Sequence, residues 1–118
     1  MDGGALAATA RGEVQTIWRR KKELFRCVPG QEEVSLGAGE QGWAAAGADG
    51  IYFIWNVGRP GKVLALPPNS REPELLAAHG RDPVIAGPVS GKGPIVAAWE
   101  EGQKGERRIR AAVVRGDR

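Results

Sequence analysis

The sequence predicts an all-β fold, a partial β-propeller of about three four-stranded blades that is completed by self-association. Three observations predict it. The apolar runs are short, which suits strands rather than helices. The 18 glycines and 8 prolines interrupt every window long enough to hold a stable helix. A unit of roughly 40 residues also recurs, each copy carrying an apolar run that ends in tryptophan.

Those runs are Val14-Gln15-Thr16-Ile17-Trp18, Ile51-Tyr52-Phe53-Ile54-Trp55 and Ile95-Val96-Ala97-Ala98-Trp99. Each follows a stretch of small residues and a glycine turn: Ala7 to Gly12, Ala45 to Gly50, and Ile85 to Gly91 with Lys92-Gly93 inserted. After each tryptophan come turn residues and a further apolar run, Leu24–Val28, Val63–Leu66 and Ile109–Val114. The first two units add a fourth segment, Glu33–Leu36 and Glu74–Ala77, and the third unit ends before its own. Blades are therefore expected at about 4–40, 41–80 and 81–118, within one domain. Small residues suit the innermost strand of a blade, and stacked sheets buried on both faces read as near-continuous apolar runs. A small β-sandwich of about eleven strands would share the same turn rhythm.

Composition narrows the chemistry. One cysteine and one histidine exclude an internal disulfide, a cysteine-based zinc site and most histidine–metal schemes, so no cofactor is expected. Net charge is +3, short of what specific nucleic-acid binding demands. No apolar run approaches the ~20 residues of a membrane-spanning helix, and no membrane partner is expected. The N-terminus lacks a basic stretch followed by an apolar one, so it reads as no signal peptide. Both ends read as cuts within a longer repeating chain, and the compartment stays open, a secreted parent protein included.

The order of small-residue strand, Asp-Gly or Arg-Gly turn, Trp-terminated strand and then a strand such as Lys22-Glu23-Leu24-Phe25-Arg26 resembles the BNR/sialidase-like six-bladed propellers. The resemblance covers nearly the whole chain at the level of blade pattern. The Asp box of that family, between third and fourth strands, is replaced here by Pro29-Gly30-Gln31-Glu32 and Pro67-Pro68-Asn69-Ser70-Arg71. The resemblance implies a half-propeller whose two copies close a six-bladed ring, hence a homodimer, with ligands near the axis.

Sialidase chemistry also needs an arginine cluster, a Glu-activated tyrosine and an acid/base aspartate. The single tyrosine, Tyr52, sits inside an apolar run and reads as core. Asp49 and Asp82 read as turn residues, His79 as a loop residue, and Cys27 as a small buried hydrophobe. Of Trp18, Trp43, Trp55 and Trp99, three mark the repeat and are expected to pack between blades. Trp43 breaks the repeat and is the candidate for stacking on a sugar ring. The run Arg19-Arg20-Lys21-Lys22 supplies the other candidates, Arg19 and Arg20, for an acidic glycan or phosphate. The tripeptide Arg115-Gly116-Asp117 matches an integrin ligand by chance. The resulting reading is a noncatalytic, self-assembling scaffold with glycan or small-ligand binding near the axis. A piece of a sialidase-like glycoside hydrolase and a polyanion-binding module are the alternatives.

Overall fold

A computed structural model describes residues 4–115 and is all-β, with ten strands and no helix among the described residues. Strands β1 (Gly4–Ala8), β2 (Val14–Arg20), β3 (Glu23–Cys27) and β4 (Val34–Ala38) form one antiparallel sheet in chain order. Strands β5 (Glu40–Gly47), β6 (Gly50–Gly58), β7 (Gly61–Leu66), β8 (Glu74–Ala86), β9 (Ile95–Glu101) and β10 (Arg108–Arg115) form a second, six-stranded sheet, also in chain order. All three Trp-terminated runs are strands: β2, β6 and β9.

Turn chemistry explains the hairpins. Ala48 and Asp49 make the two-residue loop between Gly47 and Gly50, which pair across the β5–β6 ladder. Lys21 and Lys22 connect β2 to β3 with φ of 51° and 68°. Two positive-φ residues in a two-residue loop match the right-handed twist of the strands they join. The basic run is therefore half strand and half turn.

Alternation along β6 builds both cores. Ile51, Phe53 and Trp55 point one way, into an apolar layer shared with Ile17 and Leu24 of the first sheet. Tyr52 and Ile54 point the other way, onto Val63, Ala77, Ile85, Ile95, Ala97 and Trp99 of their own sheet. The second sheet can bury residues against itself because it curls, as half a barrel does. Burial on both faces accounts for the unbroken apolar run of β6.

The curl is made at β8. Its first half pairs with β7 and its second half with β9, and the ladder shifts register between Arg81 and Val84. Asp82 holds φ 54° at the bend. Asn56, fully buried, fixes it: Nδ2 donates to the carbonyls of Lys62 (3.1 Å) and Gly80 (3.0 Å), and Oδ1 accepts from the Asp82 N–H (2.9 Å). Residues 41–80 and 81–115 are thus joined in one hydrogen-bonded sheet through β8. His79, expected in a loop, lies in this strand because the chain pairs continuously through it. Beyond the bend the chain lies on β5, so close that a Cβ on Gly87 would stand 2.1 Å from the Ala46 carbonyl oxygen.

Candidate functional site

The inward rows of β2 and β3 end in polar residues. Leu24 is buried in the layer between the sheets, and two positions on, facing the same way, stands Arg26. On β2 the inward row runs from Ile17 back to Gln15. There the two sheets part, and the turns β1–β2, β3–β4, β5–β6 and β7–β8 converge around a cleft of about 570 Å³. That volume lies within the usual range for small-molecule sites.

Three guanidinium groups reach this cleft: Arg11 from the β1–β2 turn, Arg26 from β3 and Arg71 from the β7–β8 loop. None of the three makes an ion pair among the described residues. The carboxylates on the rim differ. Glu13 accepts from Gln15 Nε2 at 3.0 Å, and Asp49 accepts from the Tyr52 hydroxyl at 2.8 Å. Glu32 holds no partner among the described residues. Ile51 and Pro68 supply apolar wall, and Asn69 and Ser70 supply amide and hydroxyl groups. Arginine forks suit a planar oxyanion, and the remaining groups suit hydroxyls.

The sequence candidates lie elsewhere. Arg20 is on the outward face of the first sheet, where it pairs with Glu33 and stacks over the Phe25 ring at 4.4 Å. The pairing raises the Arg20 pKa and lowers that of Glu33 through their hydrogen bond and mutual attraction. Arg19 faces the opposite way, 3.8 Å from Glu40. Trp43 is half exposed on β5, opposite Ile54, on the concave side of the second sheet. Arg20 and Trp43 are therefore on different faces of different sheets and do not form one site.

No family model matches the chain, and no curated relative matches it.

Tyr52 is core, as its setting in an apolar run implies, with its ring fully buried. Its hydroxyl donates to Asp49 and accepts from Arg115 Nε at 3.1 Å. Burial pushes its pKa up, as does Asp49, while Arg115 opposes them. A neutral, enclosed phenol is the opposite of an activated nucleophile. Cys27 differs from expectation. It is half-buried at the cleft margin because β3 ends there, and its thiol lies 3.3 Å from the carbonyls of Val28 and Gln31. Among the described residues no three His, Cys, Asp or Glu side chains gather as a metal-ligand set. Gly116 and Asp117 of the integrin-like tripeptide lie outside the described residues.

Arg11, Arg26 and Arg71 escaped the sequence reading because 45 residues separate the last two, and only the packing of the sheets joins them. One local signal was present: Arg26 interrupts the apolar run Leu24–Val28 at an inward position.

Proposed function

We propose that the chain is a noncatalytic, propeller-like stack of sheets that binds a small acidic carbohydrate in the cleft between its sheets and associates with further copies of itself. The observation that carries the binding reading is the convergence of three arginines, without ion-pair partners among the described residues, on one concave, hydroxyl-compatible surface. A uronic acid or a sulfated monosaccharide offers an oxyanion for the guanidinium forks and hydroxyls for the Glu13, Glu32 and Asn69 side chains. The apolar wall at Ile51 and Pro68 suits the face of a sugar ring.

Calorimetric titration with glucuronate and with glucose tests this reading. Glucuronate binds and glucose does not, affinity falls as salt rises, and Arg26→Gln or Arg71→Gln weakens binding about tenfold or more, the loss expected of one charge-assisted hydrogen bond. Equal binding of both sugars, or none of glucuronate at millimolar concentration, overturns it.

Self-association is favoured by a separate observation. The outward side of the second sheet, at β8 to β10, exposes Val84, Val96, Ile109 and Val113. A contiguous apolar sheet face of this kind marks an interaction site. Light scattering at micromolar concentration reads the mass. A closing pair of half-propellers gives a dimer, and a clean monomer overturns this part of the reading.

A further inference from the structure

Trp55 and Trp99 each carry the indole toward strands that precede them in the chain, Trp55 onto the first sheet and Trp99 into the curl of its own. Trp55 faces back onto β1–β4 and is 2% exposed. Trp99 faces back onto β5–β7 and is 6% exposed. Trp18 follows Ile17, which faces the second sheet, and so points the other way. It stands on the outward face of the first sheet and is 50% exposed, with Leu6 beside it at 67%. A glycine on the neighbouring strand or its approach backs the indole in all three units. A Cβ on Gly4 would stand 2.6 Å from the Trp18 ring, one on Gly39 2.8 Å from Trp55, and one on Gly80 2.8 Å from Trp99. Trp18 is thus backed by glycine as its two counterparts are, but half exposed where they are buried.

The opposite end of the stack offers what Trp18 lacks. On the outward face of β8, β9 and β10, Val84, Ala98 and Ala111 lie in one cross-strand row, and Ala86, Val96 and Val113 in the next. Small alanines and branched valines share that face. The faces that receive Trp55 and Trp99 have a similar makeup: Ala5, Ala7, Ile17 and Leu24 for the first, Ala45, Ile54, Val63 and Ala77 for the second.

We infer that the Trp18 face of one copy packs against the Val96–Val113 face of a second copy, head to tail, repeating between chains the way Trp55 seats its sheet on the first one. The inference rests on the proposed self-association and gives it direction. The two faces are unlike each other and lie at opposite ends, so the contact is heterologous. It closes into a ring when the rotation permits and otherwise continues as a filament. A second copy is the occupant because the chain itself carries both halves of the joint.

The test uses the full chain with one charge placed on each exposed face, Trp18→Glu and Val113→Glu, with circular dichroism confirming that both variants keep the sheet spectrum. Each variant alone loses association by about tenfold or more, as burying an unpaired charge requires. An equimolar mixture recovers a one-to-one heterodimer, because the Val113→Glu copy still has an intact Trp18 face and the Trp18→Glu copy an intact β10 face. Loss in Trp18→Glu with full association in Val113→Glu means like faces meet, and overturns the head-to-tail contact while self-association stands. Association undiminished in both variants does the same. A monomeric wild-type chain overturns both.

Discussion

The Arg115 guanidinium donates to the Tyr52 hydroxyl at 3.1 Å, joining the last described strand to the start of β6 across the concave face of the second sheet. The same hydroxyl donates to Asp49, whose carboxylate lies 3.5 Å from Arg115 Nη2. Three residues from β10, β6 and the β5–β6 turn thus close the curl with charge-assisted hydrogen bonds. Tyr52→Phe removes the shared hydroxyl and is expected to destabilise the chain by about 1 kcal/mol. Urea unfolding followed by circular dichroism reads the loss, and an unchanged midpoint refutes the clasp.

Tyr52 also has a pH signature. Burial holds its pKa above the ordinary tyrosine value, Asp49 adds to the shift and Arg115 opposes it. Its contribution to stability is therefore complete below pH ~10 and is lost as pH rises through the elevated folded value. The chain has one tyrosine, so phenolate absorbance reports this residue alone. The inflection falls above that of free tyrosine, and Arg115→Gln moves it further up. A downward move in that variant contradicts the assigned geometry.

Asn56 is another polar group in the interior, fully buried. It serves three backbone groups at the bend of β8. Asn56→Ala leaves the Lys62 and Gly80 carbonyls and the Asp82 N–H without that partner. Buried groups of this kind cost about 1–3 kcal/mol each when left unpaired, and water entry offsets part of the total. A loss of about 2–4 kcal/mol in urea unfolding is expected, larger than for Tyr52→Phe.

What was legible in the sequence was periodic. Strand positions came from short apolar runs, and β6 could be read as buried on both sides from Ile51–Trp55 alone. The bend in β8 was not legible, because Glu74–Ala77 and Ile85–Ala86 look like separate strands unless Asn56 is known to hold Gly80 and Asp82 between them. An isolated asparagine after a tryptophan carries no such signal. The cleft was hidden for a related reason. Arg19 and Arg20 stand out as a run, but the chain spends Arg20 on Glu33. The convergent arginines come from three separate segments. Trp18 matches its repeat partners in sequence and differs from them in being half exposed, which the sequence alone does not display.

At the bend, Asp82 receives a two-pronged hydrogen bond from Arg59, at 2.7 and 2.8 Å. The bond and the nearby positive charge hold the Asp82 carboxyl below its ordinary range. A depressed folded pKa gives stability that is present above the unfolded value near ~4 and lost as pH falls through the folded one. Both side chains are partly exposed to solvent, which screens the pair, so the effect is small. Thermal midpoints measured from neutral pH down through the acid range are expected to fall less in Asp82→Asn than in wild type. Equal slopes remove Asp82 from the acid response.

Gly80 is where the strand repeat and the tryptophan repeat meet. A Cβ there would stand 2.6 Å from Val63 Cγ2 and 2.8 Å from Trp99 Cδ1, and both partners are buried. Neither can swing into solvent, so the added methyl must displace the β7–β9 packing. Gly80→Ala is expected to destabilise by about 1–3 kcal/mol, as overpacking does. Gly105, in the β9–β10 turn, meets nothing within 4 Å but holds φ 89°. Gly105→Ala therefore has only backbone strain to bear, of order 1 kcal/mol. Trp99 separates the two cases, because Gly80→Ala moves that indole and shifts the tryptophan emission. Gly105→Ala leaves the emission unchanged. An unshifted spectrum in Gly80→Ala shows that the indole does not rest on this backbone.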